Sequence, residues 1–371
     1  MISNNGRLGA SVWTAIGLGA VTRVIFAFFY ISWHTSDADQ YFAQAEAILQ
    51  GRWLNYLPNG YPLLIAALQR VVGQVAIERS LLVLNIVLST AIVWHVAVLA
   101  RRIAPSSAHA AMVPGATLAI AFWPNQLVQL RNFGSDIPAA YFLSLGIVCL
   151  AANRRVLSGL AIGAAIACRP SIAPVAAALG GALWAIGRRQ SLPARVARPG
   201  PAFAFGAAAL APLLIVAALG VSRGAGPGLD GHLGDVLANA DASFGGALVV
   251  QGADNVSSRA GLAIYGDRLR REPVYFIRQR AAALWEMWGS WPDDNGSGVA
   301  RQIAVALRFP LGVFALVGWY AACREPVASY LGLSVVMLTL VQVMLYALVR
   351  FAVPMEPLAI ALAAGVRFRE G

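Results

Sequence analysis

Lysine is absent from this chain: all 28 of its basic side chains are arginine. Charge of either sign is scarce. Charged residues fill 12% of the 371 positions, where a soluble domain carries about 25%, so an ordinary soluble fold is excluded. Cysteine is scarce too. Cys149, Cys168 and Cys323 show no CxxC spacing, so neither a disulfide framework nor a zinc site is supported. His34, His95, His109 and His232 form no HExxH and read as packed or interfacial residues rather than metal ligands. No Walker A motif occurs, and no GxGxxG follows a strand. The first apolar run, 9–33, is followed by no small-x-small cleavage site and reads as a retained span. Acids are outnumbered, leaving a net charge of +11. The arginines sit at the ends of apolar runs, where they set orientation, so no nucleic-acid partner is expected.

What the chain has is apolar sequence. Hydrophobic residues make up 58% and the mean hydropathy is +0.66. A membrane-spanning helix needs about 20 apolar residues. Candidate spans fall at 10–33, 80–100, 108–130, 137–153, 157–168, 171–187, 201–221, 302–322, 327–346 and 353–366. The fold expected is an all-α polytopic membrane protein of about ten transmembrane helices, one domain over residues 1–371. The stretch 60–75 is too short and interrupted for a span and reads as interfacial or re-entrant.

With the N-terminus inside, Arg101 and Arg102, Arg154 and Arg155, Arg188 and Arg189 with Arg195 and Arg198, and Arg367 with Arg369 all fall on the cytoplasmic side. Outside lie a first loop (34–60), a short loop (131–136), a long loop (about 222–300) and the turn 346–351. The long loop opens Gly-rich and irregular. Its later part, 271–291, reads as a juxtamembrane helix with Pro273 in the first turn and Tyr275, Phe276, Trp285, Trp288 and Trp291 at headgroup level.

The first loop contains "SDADQYFAQAEAILQG" (36–51). Ser36 as N-cap with Asp39 three residues on forms a capping box. Tyr41, Ala45, Ile48 and Leu49 share a face, and Gly51 stops the helix. Asp39 then has a capping role, while Asp37 has none. Two readings stand for the acids: Asp37 acts as a base or metal ligand at the mouth of a cavity, or both acids simply favour the helix dipole. "NGYP" (59–62) reads as a turn into the next apolar segment.

In this order, the acid-plus-Tyr helix and the GYP turn after the first span resemble integral-membrane glycosyltransferases of the GT-C fold class. More narrowly, the chain resembles the bacterial family 39 relatives of protein O-mannosyltransferases and of aminoarabinose transferases. "FWPNQLVQLRNFGSDIPAAYFLSL" (122–145), "GLAIGAAIACRPSIAPV" (159–175), "REPVYFIRQRAAALWEMWG" (271–289) and "YALVRFAVPMEPLAIALAAG" (346–365) extend the resemblance in order along most of the chain. The chain departs from the family pattern in the first loop, where Ala38 separates Asp37 from Asp39. It departs again at Asp136, where the family often has Glu.

The resemblance implies a polyprenyl-phosphate-linked sugar donor and a lipid, glycan or protein acceptor. It places the active site on the outer side of the cytoplasmic membrane and implies inversion. Asp37 is carried over as the base, with Asp39 the alternative two residues away. For the donor phosphate, arginines at membrane depth are candidates because an unpaired charge there is costly. Arg350 comes first, from the Arg-then-Pro segment, then Arg169 and Arg131. Snorkelling to the outer headgroups is the competing reading for each. Asp136 is expected to orient the acceptor, pair with an arginine, or complete a metal site with Asp37. Tyr41 and Tyr61 would line the cavity. Some members of the class use a divalent cation and others none; Asp293 and Asp294 in "WPDDNGS" form another carboxylate pair, more in keeping with a solvated loop. Arg23, inside the first span, would pair with an outer-side acid. The competing functions are a transporter or flippase, for which no mirrored halves occur, and a non-catalytic envelope-assembly protein.

Overall fold

The computed structural model describes residues 8–29, 36–54, 57–104, 106–190, 200–223, 258–288, 299–344 and 352–366. Among them the regular structure is helical throughout. Along the first half lie α1 (Ala10–Phe29), α2 (Ser36–Leu49), α3 (Gly60–Val72), α4 (Ile77–Ile103), α5 (His109–Ala121), α6 (Pro124–Val128), α7 (Asp136–Ala151) and α8 (Arg155–Cys168). Then come α9 (Ala173–Gln190), α10 (Gly200–Val221), α11 (Ser258–Arg271), α12 (Pro273–Trp288), α13 (Val299–Ala321), α14 (Pro326–Met344) and α15 (Glu356–Ala363).

Each predicted span carries a helix, and among the described residues four stretches are long and apolar enough to cross a membrane: Ala10–Phe29, Gln74–Ile103, Gly200–Val221 and Pro326–Met344. The other six predicted spans carry helices of 8 to 23 residues. The expected span 108–130 is not continuous. It breaks before Pro124, whose ring disfavours helical backbone at Trp123; Trp123 is extended (φ −66°, ψ 115°) and α6 starts afresh at the proline. The stretch 60–75 forms α3, which buries Tyr61, Pro62, Ile65 and Ala66 and leaves Val71 exposed. In the long loop, α12 starts at Pro273 as expected, and a further helix, α11, precedes it.

The bundle shows its apolar side outward. Phe28, Phe29, Phe203, Leu214 and Ile215 are all more than half exposed, as expected where lipid, not water, is the solvent. Inside, α8 and α10 pack closely through "GLAIG" (159–163), a small-xxx-small motif that lets two backbones approach. A Cβ on Gly159 would run into the Phe205 carbonyl, and one on Gly163 into the Ala209 carbonyl.

Arg23 is fully buried in α1, yet its partners are not acids. It donates to Ser89 Oγ (2.7 Å) and to the carbonyls of Gly19 (3.0 Å), Ala121 (2.9 Å) and Ile120 (3.2 Å). The last two end α5, so the guanidinium satisfies carbonyls freed where the predicted third span breaks, at the negative end of a helix dipole.

Candidate active site at the α2, α3, α7 and α8 ends

In the first loop the expected amphipathic helix forms as α2, starting at Ser36 itself; the side chains of Ser36 and Asp37, and with them the expected capping box, lie outside the described residues. Ala38, Tyr41, Ala45 and Ile48 form the buried stripe of α2. The helix stops at Gly51, in the left-handed region (φ 77°). Arg52 N–H donates to Ala47 O (2.8 Å) and Gly51 N–H to Ile48 O (3.1 Å), a Schellman ending. Gln44 sits on the same buried stripe and holds the descending chain. Its Nε2 donates to Leu54 O (3.1 Å), Leu57 O (3.0 Å) and Asn59 Oδ1 (3.0 Å), and its Oε1 accepts from Leu57 N–H (3.0 Å). Sequence reasoning passed over Gln44, although a polar residue on an apolar face was the available signal. That chain delivers Gly60, the first residue of α3, against the Ala167 backbone, where a Cβ would clash.

Four of the predicted site residues converge here. Tyr61, fully buried, meets Tyr41 edge to face with ring centroids 5.0 Å apart. The Tyr41 hydroxyl donates to Ser135 Oγ (3.1 Å). Next to Ser135, Asp136 opens α7, where the helix dipole favours a carboxylate, and it is ion-paired with Arg169. Arg169 lies in the break between α8 and Pro170 with extended backbone (φ −149°, ψ 96°). Both side chains keep a little exposure, 7% and 11%. Of the three roles expected for Asp136, the pairing with an arginine is the one seen.

Asp39 is exposed on α2. Asp37 belongs to α2 by its backbone, four residues before Tyr41 and on the same face in helical register; its side chain lies outside the described residues. Arg131 is half-buried at the end of the 3₁₀ turn Gln129–Arg131. Arg350, His34, His232, Asp293 and Asp294 lie outside the described residues. Among the described residues no group of three or more His, Cys, Asp or Glu side chains could hold a metal ion. Among the described residues Asp136 has Arg169 as its charged neighbour.

A second polar centre escaped the sequence reading. Arg308 of α13 and Glu356 of α15 form a fully buried ion pair, Nε to Oε1, at 2.8 Å. Asn125 of α6 donates to the same oxygen (3.0 Å), and Gln126 Nε2 donates to Val353 O (2.8 Å). Nearby, α12, α13 and α14 form a half-open apolar cavity of about 400 Å³, lined by Trp285, Trp288, Phe309, Trp319 and Leu340 among others.

No family model and no curated protein matches the chain. Solved structures do. The archaeal oligosaccharyltransferase AglB from Archaeoglobus fulgidus, in complex with an inhibitory peptide and a dolichol-phosphate, superposes with a TM-score of 0.53 at 13% identity over 96% of this chain. The apo form of the Archaeoglobus fulgidus oligosaccharyltransferase gives 0.52 at 14% over 95%, and its complex with Zn and sulfate 0.52 at 13% over 96%. The chain has a GT-C-type fold. It spans about half the length of these structures, 48% to 50%. The GT-C resemblance of the sequence is thus matched in three dimensions by α1–α15, with the polar cluster of Tyr41, Ser135, Asp136 and Arg169 at one end of α7 and α8.

Proposed function

We propose that this chain is a GT-C membrane glycosyltransferase. It would move a sugar from a polyprenyl-phosphate-linked donor to a lipid, glycan or protein hydroxyl on the outer side of the cytoplasmic membrane. The observation that carries the reading is the cluster of Tyr41, Ser135, Asp136 and Arg169, still partly open, in a fold shared with an oligosaccharyltransferase solved with dolichol-phosphate.

Three further features support it. The arginine-bearing turn at Arg154 and Arg155 closes the opposite end of α7 and α8 from Asp136 and Arg169. Positive charge inside would then put the cluster outside. The apolar cavity between α12, α13 and α14 has the lining an isoprenoid chain needs. Asp37 shares its face of α2 with Tyr41, which is the register a base must have to reach the cluster.

In the reaction, the acceptor oxygen attacks the anomeric carbon opposite the leaving group and the configuration inverts. The bond from that carbon to the phosphate oxygen breaks, and polyprenyl phosphate departs with the electron pair. Asp37 takes the acceptor proton. Arg169, oriented by Asp136, and Arg350 stabilise the leaving phosphate, for which the planar guanidinium is suited. Arg131 is a third candidate for that role, and Tyr41 with Tyr61 forms the cavity floor. No step is assigned to a metal.

The test is sugar transfer in membranes supplied with labelled polyprenyl-phosphate sugars, with variants matched for insertion and expression. Transfer is expected from the native chain and from Asp39→Asn, and its loss in Asp37→Asn. Loss in Asp39→Asn alone would move the base by two residues. Undiminished transfer in both variants would overturn the mechanism, and no transfer by the native chain with any donor would overturn the function.

A further inference from the structure

The helices α11 and α12 have no part in the cluster above, yet they are tied to one place in the bundle. The Tyr265 hydroxyl donates to Met344 O (2.7 Å), and Arg280 donates to Val343 O (3.2 Å) and Met344 O (3.1 Å). Met344 is the last described residue of α14, one of the four helices long and apolar enough to cross a membrane among the described residues, and it falls within two residues of the end expected for that span at 346. The end of a span is the depth at which headgroups begin. The α11 helix and the first half of α12, fastened to those carbonyls, therefore lie at headgroup level, and α12 descends from there along α14, where Trp288 Nε1 donates to Thr339 Oγ1 (3.1 Å).

Their outer surfaces suit that depth. The inward stripe of α12 is Phe276, Arg280, Ala283 and Met287, all buried. Facing away are Leu262, Leu269, Val274, Tyr275 and Ile277, each between 42% and 80% exposed. Among them stand exposed Arg259, Arg270, Arg271 and Arg278. The acids on the two helices are Asp267, Glu272 and Glu286, against six arginines. Asp267 is committed to Arg271 at 2.9 Å, so basic charge is left in excess. An apolar ridge interleaved with arginine is the surface of an interfacial helix that inserts between lipids and attracts anionic headgroups.

We propose that α11 and α12 form a juxtamembrane platform that binds anionic phospholipid through Arg259, Arg270 and Arg278. Zwitterionic lipid would accommodate the apolar ridge and offer phosphates too, but each is balanced by its own ammonium group, so the net attraction for these guanidinium groups is lost. The proposal rests on α14 as a membrane span and not on sugar transfer, so its test needs no donor.

The full chain is reconstituted in nanodiscs of phosphatidylcholine alone and of phosphatidylcholine with phosphatidylglycerol, and amide hydrogen exchange is followed over 258–288. With phosphatidylglycerol these amides should exchange at least about fivefold more slowly, the factor that one arginine near an anionic surface supplies. High salt should erase the difference, because exposed charges are screened. Arg259→Gln with Arg270→Gln and Arg278→Gln should erase it too, while exchange in pure phosphatidylcholine stays as in the native chain. Equal exchange in the two lipids would overturn the proposal. So would a difference that survives both salt and the triple variant.

Discussion

Two buried ion pairs hold this bundle together at different places, and they are built to opposite specifications. Asp136 and Arg169 meet where α7 begins and α8 ends, each with some exposure and with the Tyr41 and Ser135 hydroxyls alongside. Arg308 and Glu356 meet inside the bundle with no exposure at all. The open pair can exchange partners with an incoming anion. The sealed pair cannot, and it is also incompletely satisfied: Arg308 Nη1 and Nη2 and Glu356 Oε2 have no hydrogen-bond partner among the described residues. Burying charge costs several kcal/mol per ion, which a single good contact repays poorly. The difference separates chemistry from architecture. On the proposed function, the charge pair with access and hydroxyl neighbours is the one that would handle substrate. A sealed one fixes how α6, α13 and α15 dock.

Breaking the sealed pair should have the largest effect on stability. Glu356→Ala leaves the Arg308 guanidinium and the Asn125 amide without their shared acceptor and should cost about 3–5 kcal/mol. The readout is the thermal midpoint, or the folded yield, in detergent. Replacing both partners, Arg308→Met with Glu356→Leu, should recover most of that loss, because the desolvation cost disappears along with the contact. A double variant as unstable as the single one would show that the polar node holds more than the pair.

Breaking the open pair should cost less stability and more function. Asp136→Asn removes a partly solvated partner, so a loss of about 2 kcal/mol is expected, between the surface and buried cases. Transfer should fall by about 100-fold, the scale of losing one preorganised electrostatic group, because Arg169 is no longer aimed. A thermal loss matching that of Glu356→Ala, with transfer intact, would erase the distinction between the two pairs.

How far each pair could be read from the sequence follows from their location. Asp136 and Arg169 are each marked locally, one by the acid opening a helix after Ser135 and the other by the Arg-Pro break after an apolar run. Gly51 was marked in the same way. Arg308 and Glu356 lie within apolar runs, and their partnership with Asn125 joins residues 48 and 231 positions apart. No periodicity reports such a contact. The break of the third span lay in plain view at Trp123 and Pro124, but hydropathy averages over it. The partner of Arg23 was misjudged for a related reason: broken helices free carbonyls, and carbonyls have no signature in composition.

The finest contrast lies within the open cluster, between its two tyrosines. The Tyr41 hydroxyl has a partner in Ser135, whereas the Tyr61 hydroxyl is buried with none. Removing a satisfied hydroxyl costs about 1 kcal/mol, and removing an unsatisfied buried one costs nothing or relieves a penalty of similar size. Tyr41→Phe should therefore lower the thermal midpoint slightly and disturb transfer by freeing Ser135 beside Asp136. Tyr61→Phe should leave transfer unchanged and hold or raise the midpoint, since the edge-to-face ring contact with Tyr41 survives. A loss of transfer in Tyr61→Phe without loss of stability would mean that its unpaired hydroxyl waits for substrate. The cavity would then extend one layer deeper than the ion pair.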